Sequence, residues 1–267
     1  MRLPTRLLLT WLVLASAPID AAATDLGDFP YPVTARPLVL GQEILEAEGA
    51  FAVRYFTVKD PHHDDGAYSP GAHLGTVAST LRLAAGLTDW LQLAGTATLW
   101  WVRPEVDLVK PTLEIAGLPV RWVAPRVRLT LPDARSSEAF GYAFGATGRY
   151  AFLEDTLDVL LDLDLDRYDP ASGSDTRRPE TTLSATLATR WSFVPRFYVA
   201  ARAGLSKTWV QASPPVVLRY ALEAGFTSAK HVDVVLSWGV PSDWTLPTDV
   251  HPAFRIHVVT FTVRVRR

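Results

Sequence analysis

The 267-residue chain has no cysteine. That absence excludes a disulfide framework, a thiolate metal site and a lipid-anchor cysteine, so whatever holds the fold together is noncovalent. Beyond its N-terminus the chain also lacks any apolar run long and uncharged enough for a membrane helix, which needs roughly 20 residues. Charge of one sign is lacking too. The 26 Lys and Arg nearly balance 28 Asp and Glu, for a net charge of −2. No polyanion-binding surface follows from that balance, and nucleic acid is not expected as a partner. Gly-x-Ser-x-Gly, His-Glu-x-x-His and phosphate-binding glycine loops are all missing. No enzyme class is indicated, and no cofactor is expected.

What is present begins with an export signal. Arg2 and Arg6 form a basic start, and Leu7 to Ala17 an apolar stretch too short to span a bilayer. Ala21-Ala22-Ala23 supplies a small-residue cleavage site. Residues 1–23 are therefore expected to be a cleaved signal peptide, leaving a mature chain of about 240 residues. Residues 24–42 are Pro-rich and irregular and read as a periplasmic lead-in; residues 43–267 read as one β domain.

The strongest signal is residues 157–168, Leu-Asp-Val-Leu-Leu-Asp-Leu-Asp-Leu-Asp-Arg-Tyr. Successive side chains of a strand point to opposite faces. Leu157, Val159, Leu161, Leu163 and Leu165 then share one face. Asp158, Asp162, Asp164 and Asp166 share the other, interrupted only by Leu160. A helix would instead stack Asp158, Asp162 and Asp166 at like-charge i, i+4 spacing and set Asp164 among leucines. One face is apolar and the other acidic. A transmembrane β-barrel supplies both environments, lipid outside and water inside.

Comparable alternation recurs in 43–56, 76–87, 90–101, 106–115, 120–131, 140–152, 181–191, 197–209, 216–226, 232–238 and 254–266. Most of these runs exceed the roughly 5–6 residues of an ordinary strand and match the about 9–11 tilted residues of a membrane-spanning one. Short turns near Thr88, Gly117, Glu154, Pro195 and Ser228 alternate with polar loops at 57–73, 132–138, 169–179, 210–215 and 240–252. Short periplasmic turns and longer outer loops have this rhythm. The phase holds only if Val106 to Ile115 crosses the membrane, although Lys110-Pro111 suits an edge or a bulge better than a ladder. Counting it predicts an all-β, antiparallel up-and-down transmembrane β-barrel of about twelve strands in the bacterial outer membrane. Both termini would lie in the periplasm. Trp90, Trp101, Trp191, Trp209 and Trp238 fall at strand ends, where amphipathic rings form interfacial girdles. A soluble β-sandwich or lipocalin-like barrel is the rival architecture.

Two motifs add a resemblance. Arg36-Pro37-Leu38-Val39-Leu40-Gly41-Gln42, ahead of the first strand, resembles the leading segment of uncharacterised outer-membrane transporter barrels of proteobacteria and myxobacteria. Gly86-Leu87-Thr88-Asp89-Trp90-Leu91-Gln92-Leu93 resembles their recurring periplasmic hairpin. That family includes members linked to phenol degradation. The motifs cover the first third of the chain, and the strand rhythm covers the rest. The resemblance implies a passive channel for small solutes, surrounded by outer-membrane lipid. The chain departs from the family pattern in lacking Pro-Lys before the glycine of the first motif. It also ends Val265-Arg266-Arg267, where many such barrels end on an aromatic residue.

Strand parity sends a mixed set of charges inward. Glu46, Glu48 and Arg54 belong to the first run, Arg82 to the second, and Arg126 and Arg128 to the fifth. Arg149 precedes the acidic strand; Arg190, Arg202, Arg219, Glu223 and Asp233 follow it. Facing ladders of charge can line a pore and orient polar or zwitterionic solutes. They can equally pair across the lumen and plug it, because an interior of this strand number lies between filled eight-strand barrels and open porins. The plugged case is a structural barrel that binds a partner through its loops. His62-His63-Asp64-Asp65 is the only metal-like cluster. It reads as a solvated loop, since a metal site wants three spaced ligands with hydrogen-bonded support. A third reading, an outer-membrane hydrolase, finds no distinctively placed Ser or His.

Overall fold

The computed structural model describes residues 29–30, 32–58, 73–102, 105–131, 138–153, 156–170, 180–209, 216–229, 231–246 and 254–267. They contain the strands β1 (Leu45–Val58), β2 (His73–Thr88), β3 (Leu91–Val102), β4 (Glu105–Gly117), β5 (Val123–Thr130) and β6 (Glu138–Leu153). The second half contributes β7 (Leu157–Pro170), β8 (Glu180–Val194), β9 (Phe197–Trp209), β10 (Val216–Ala229), β11 (Val232–Leu246) and β12 (Phe254–Arg266). Each pairs antiparallel with its chain neighbours, and β1 closes onto β12. A closed sheet leaves no edge to template aggregation. The closing register sets opposite charges side by side: Glu46 faces Arg266 and Glu48 faces Arg264 on β12, while Glu48 also faces Arg82 on β2.

The alternation of the acidic strand separates the two faces of the wall. Leu161, Leu163 and Leu165 are 44%, 44% and 43% exposed, whereas Asp158 is 0% exposed. Leu81, Leu83, Leu113, Leu187, Leu222, Leu236 and Phe261 continue the exposed apolar face on other strands. Water would penalise so continuous an apolar surface; hydrocarbon does not. The soluble sandwich or lipocalin is therefore set aside. At the end of the barrel where β1 begins and β12 ends, Trp122, Tyr150, Phe152, Trp191 and Phe197 face outward. Rings touch there, Tyr150 with Phe152 at 4.8 Å and Phe197 with Phe226 at 4.6 Å between centroids.

The sequence reading differs from the structure at its prolines. Residues 239–246, expected in a loop, extend β11 to Leu246. Pro241 is tolerated because the β10–β11 ladder shifts register between Leu218 and Tyr220, and β12 pairs with β11 only as far as Gly239. Lys110 and Pro111 sit in a similar shift, opposite the break between Thr96 and Thr98. The fifth strand starts at Val123 rather than Val120, which makes only an isolated bridge to Val123. Trp90 does not join a girdle but packs inward against the Val39 cluster. The Trp101 side chain and the His62–Asp65 cluster lie outside the described residues.

Candidate functional site

The segment that precedes β1 lies in the mouth of the barrel, at the end where β1 begins and β12 ends. Three apolar clusters seat it. Phe29, Leu40 and Ile44 meet Ala84 and Ala94; Val39 meets Ala116, Leu118 and Ala124; Val33 meets Tyr198, Ala200 and Val235. The inward alanines are small enough to leave it room. Its contacts reach strands on opposite sides of the barrel, so it crosses the mouth. Glu43, with φ of 66°, turns the chain out of this segment into β1.

Polar contacts fix the same segment. Arg36 is 6% exposed and donates to both Asp233 oxygens, at 2.6 and 3.0 Å, and to Thr227 Oγ1 at 2.8 Å. Its Nε donates to Pro30 O at 3.0 Å, and its own carbonyl accepts from Arg149 Nη1 at 2.6 Å. Burial pulls the Arg36 guanidinium below its ordinary value and Asp233 opposes that, but an arginine stays charged. Phe29 lies beneath the Arg36 and Arg266 guanidinium groups, 5.4 and 4.6 Å from its centroid. Thr34 Oγ1 donates to Ser192 Oγ at 3.2 Å.

The two motifs that carry the family resemblance meet here. Leu40 N donates to Gln92 Oε1 at 2.9 Å, and Gln42 N donates to Asp89 Oδ1 at 3.1 Å. Gly86 passes so close to the Leu40 and Gly41 carbonyls that any side chain would collide with them. A glycine there is a condition for seating the segment.

Around the segment the inward charges fall into three groups. At the closing seam, Arg82 meets Glu46 at 3.2 Å, Arg264 meets Glu48 at 2.5 Å, and Arg266 meets Glu46 at 2.8 Å and Asp233 at 2.7 Å. On β6 to β8, Asp158 is clamped between Arg149 at 2.8 Å and Arg190 at 2.5 Å. Higher on the acidic strand, Asp164 meets Arg126 at 2.6 Å and Arg128 at 3.4 Å; Asp162 meets Arg126 at 3.2 Å and Asp166 meets Arg128 at 3.7 Å. Those arginines sit on β5 and reach over β6. Gly145 makes the reach possible, because a side chain there would strike Asp164.

The remaining residues expected inside are Arg54, Arg202, Arg219 and Glu223. Arg202 Nη2 donates to Glu223 Oε2 at 2.9 Å rather than to the acidic strand, and Tyr198 Oη donates to Glu223 Oε1 at 2.6 Å. Arg219 Nη2 donates to Thr186 Oγ1 at 3.1 Å. Arg54 is partly buried on β1. Sequence reasoning left out Arg36, Tyr198, Arg264, Arg266 and Glu114, which meets Arg128 at 3.5 Å. Parity alone puts Arg264 and Arg266 on the Thr260–Thr262 face, so a signal for them existed. Arg36 had none, because nothing in a Pro-rich segment says that it folds inward.

Among the described residues, two cavities stand out inside the barrel. One, about 340 Å³, lies between the leading segment and the seam, lined by Glu46, Glu48, Arg82, Gln92, Arg264 and Arg266 together with Arg36 and Leu40. The other, about 320 Å³, lies further from the mouth, beside Arg202 and Arg219.

No protein-family model and no curated protein matches the sequence. Solved structures do. The COG4313 outer membrane channel from Pseudomonas putida F1 superposes with a TM-score of 0.58 at 14% identity, over 91% of this chain and 99% of that one. The NanC porin superposes with a TM-score of 0.55 at 11% identity, over 80% of this chain and 98% of that one. At such identities the likeness establishes the fold alone, a closed twelve-stranded β-barrel of the outer-membrane type.

Proposed function

We propose that the chain is a passive outer-membrane channel for small solutes, narrowed at its periplasmic mouth by its own leading segment. The observation that carries this reading is the cavity of about 340 Å³ beside that segment, walled by charged side chains of β1, β2 and β12. A structural plug would fill the mouth with side chains; here polar space remains. Paired charges along the wall offer donors and acceptors that a passing polar solute can borrow. The apolar exterior supports a lipid surrounding, and the short turns at the end where β1 begins and β12 ends support a periplasmic position for that end. Its fold-mates include an outer membrane channel and a porin. The contact between the two motifs supports kinship with the transporter barrels they resemble. This reading assigns the chain no catalytic role.

The test is planar-bilayer recording of the folded, reconstituted chain. Small, discrete current steps are expected. A second reading, a structural barrel, is favoured by the burial of the Arg36–Asp233–Thr227 cluster, with Thr227 and Asp233 each 1% exposed. Silent bilayers with demonstrably folded protein would select it.

A further inference from the structure

Arg219 differs from the charges around it. Arg126, Arg128, Arg190 and Arg202 each meet a carboxylate within 4.0 Å. Among the described residues Arg219 meets none: its Nη2 donates to Thr186 Oγ1, and its buried Nε has no acceptor. Nearby carboxylates are taken, Glu223 by Arg202 and Tyr198, and Asp166 by Arg128. The guanidinium is seated over Gly204, where a side chain would begin 3.0 Å from Nε. That Nε is closed off against Gly204, so what the cavity meets is the rest of a guanidinium whose charge no carboxylate within 4.0 Å matches, and such a charge recruits an anion.

The cavity beside Arg219 is otherwise largely apolar. Ala221, Gly239, Val240, Pro241 and Val258 contribute to its wall. Its roughly 320 Å³ leaves room for a small molecule. The shape and chemistry suit a molecule with an apolar body and one anionic end. A guanidinium matches a carboxylate through a planar fork of N–H donors.

We propose that this cavity is a binding station for small carboxylates with an apolar body, the carboxylate meeting Arg219 and the body lying against Ala221 and Val258. The proposal deepens the channel reading by naming a solute class for the lumen. Calorimetric titration of the detergent-solubilised full chain tests it with benzoate, its neutral isostere benzamide, and acetate. Benzoate should bind saturably, with benzamide and acetate each about tenfold weaker or more, the loss expected for one charge-assisted contact or for the apolar contact. Arg219→Gln should weaken benzoate by about tenfold and leave benzamide unchanged. Equal affinity for benzoate and benzamide, equal benzoate affinity in the variant, or no saturable benzoate binding would each overturn it. If Arg219→Gln does not fold, the ratio of the two ligands in the parent chain decides alone. Binding by a barrel that passes no current upholds the station and overturns the channel; current without binding does the reverse.

Discussion

At the residue scale, Asp158 shows how charge is handled inside the wall. It is 0% exposed and holds Arg149 and Arg190. Removing its charge leaves two guanidinium groups, each with side chains 13% exposed, without their carboxylate. Asp158→Asn should therefore cost about 3–5 kcal/mol, as breaking a buried pair does. Urea titration of the refolded barrel measures it; a cost near the roughly 0–1 kcal/mol of a surface pair would show that water already screens the site. This pair was partly legible in the sequence, because Arg149 and Arg190 flank the acidic strand in chain order. The Arg126–Asp164 pair was not. It skips a strand and depends on Gly145, and nothing in a linear pattern says that a glycine opens a path between its neighbours' neighbours.

At the element scale, the leading segment and the hairpin at Asp89–Trp90 behave as one unit. Gly86→Val should unseat the segment, since the Gly41 carbonyl occupies the space of the new side chain. The cysteine-free background allows a single spin label at Ala35. The label should be immobile in the parent barrel and mobile in the Gly86→Val variant; identical spectra would show that the segment is held elsewhere. Strands were the legible elements. Even β4 declared itself through topological phase despite Pro111, which the register shift absorbs. The end of β11 was misread for the same chemistry: proline signals a loop to a reader of sequence, whereas a barrel accepts it wherever the ladder is already broken. The inward fold of residues 32–44 was not legible, because its apolar residues, Val33, Val39 and Leu40, show no strand or helix period.

At the scale of the whole molecule, two surfaces must answer to two solvents. Leu163 faces outward near mid-strand, so Leu163→Arg should cost about 2–4 kcal/mol in refolding titrations into lipid, the cost of a cation at the bilayer midplane. A cost near zero would place that face in water. Inside, replacing Asp162, Asp164 and Asp166 with Asn leaves Arg126 without its carboxylates and Arg128 with Glu114 alone, at 3.5 Å. Reversal potentials should then move toward anions, and the shift should shrink in 1 M salt, where the screening length falls to about 3 Å. Unchanged selectivity would show that ions do not pass this wall. The central claim, a channel narrowed by its own leading segment, is tested most directly by bilayer conductance of Arg36→Ala, alone and combined with Thr34→Cys and Ser192→Cys. Arg36→Ala removes the tie to Asp233 and Thr227, while Thr34 and Ser192 already touch at 3.2 Å. Conductance should rise in Arg36→Ala, return to the parent level when the cysteines are oxidised, and rise again on reduction. A folded Arg36→Ala barrel with parental conductance, or with none, would contradict the account.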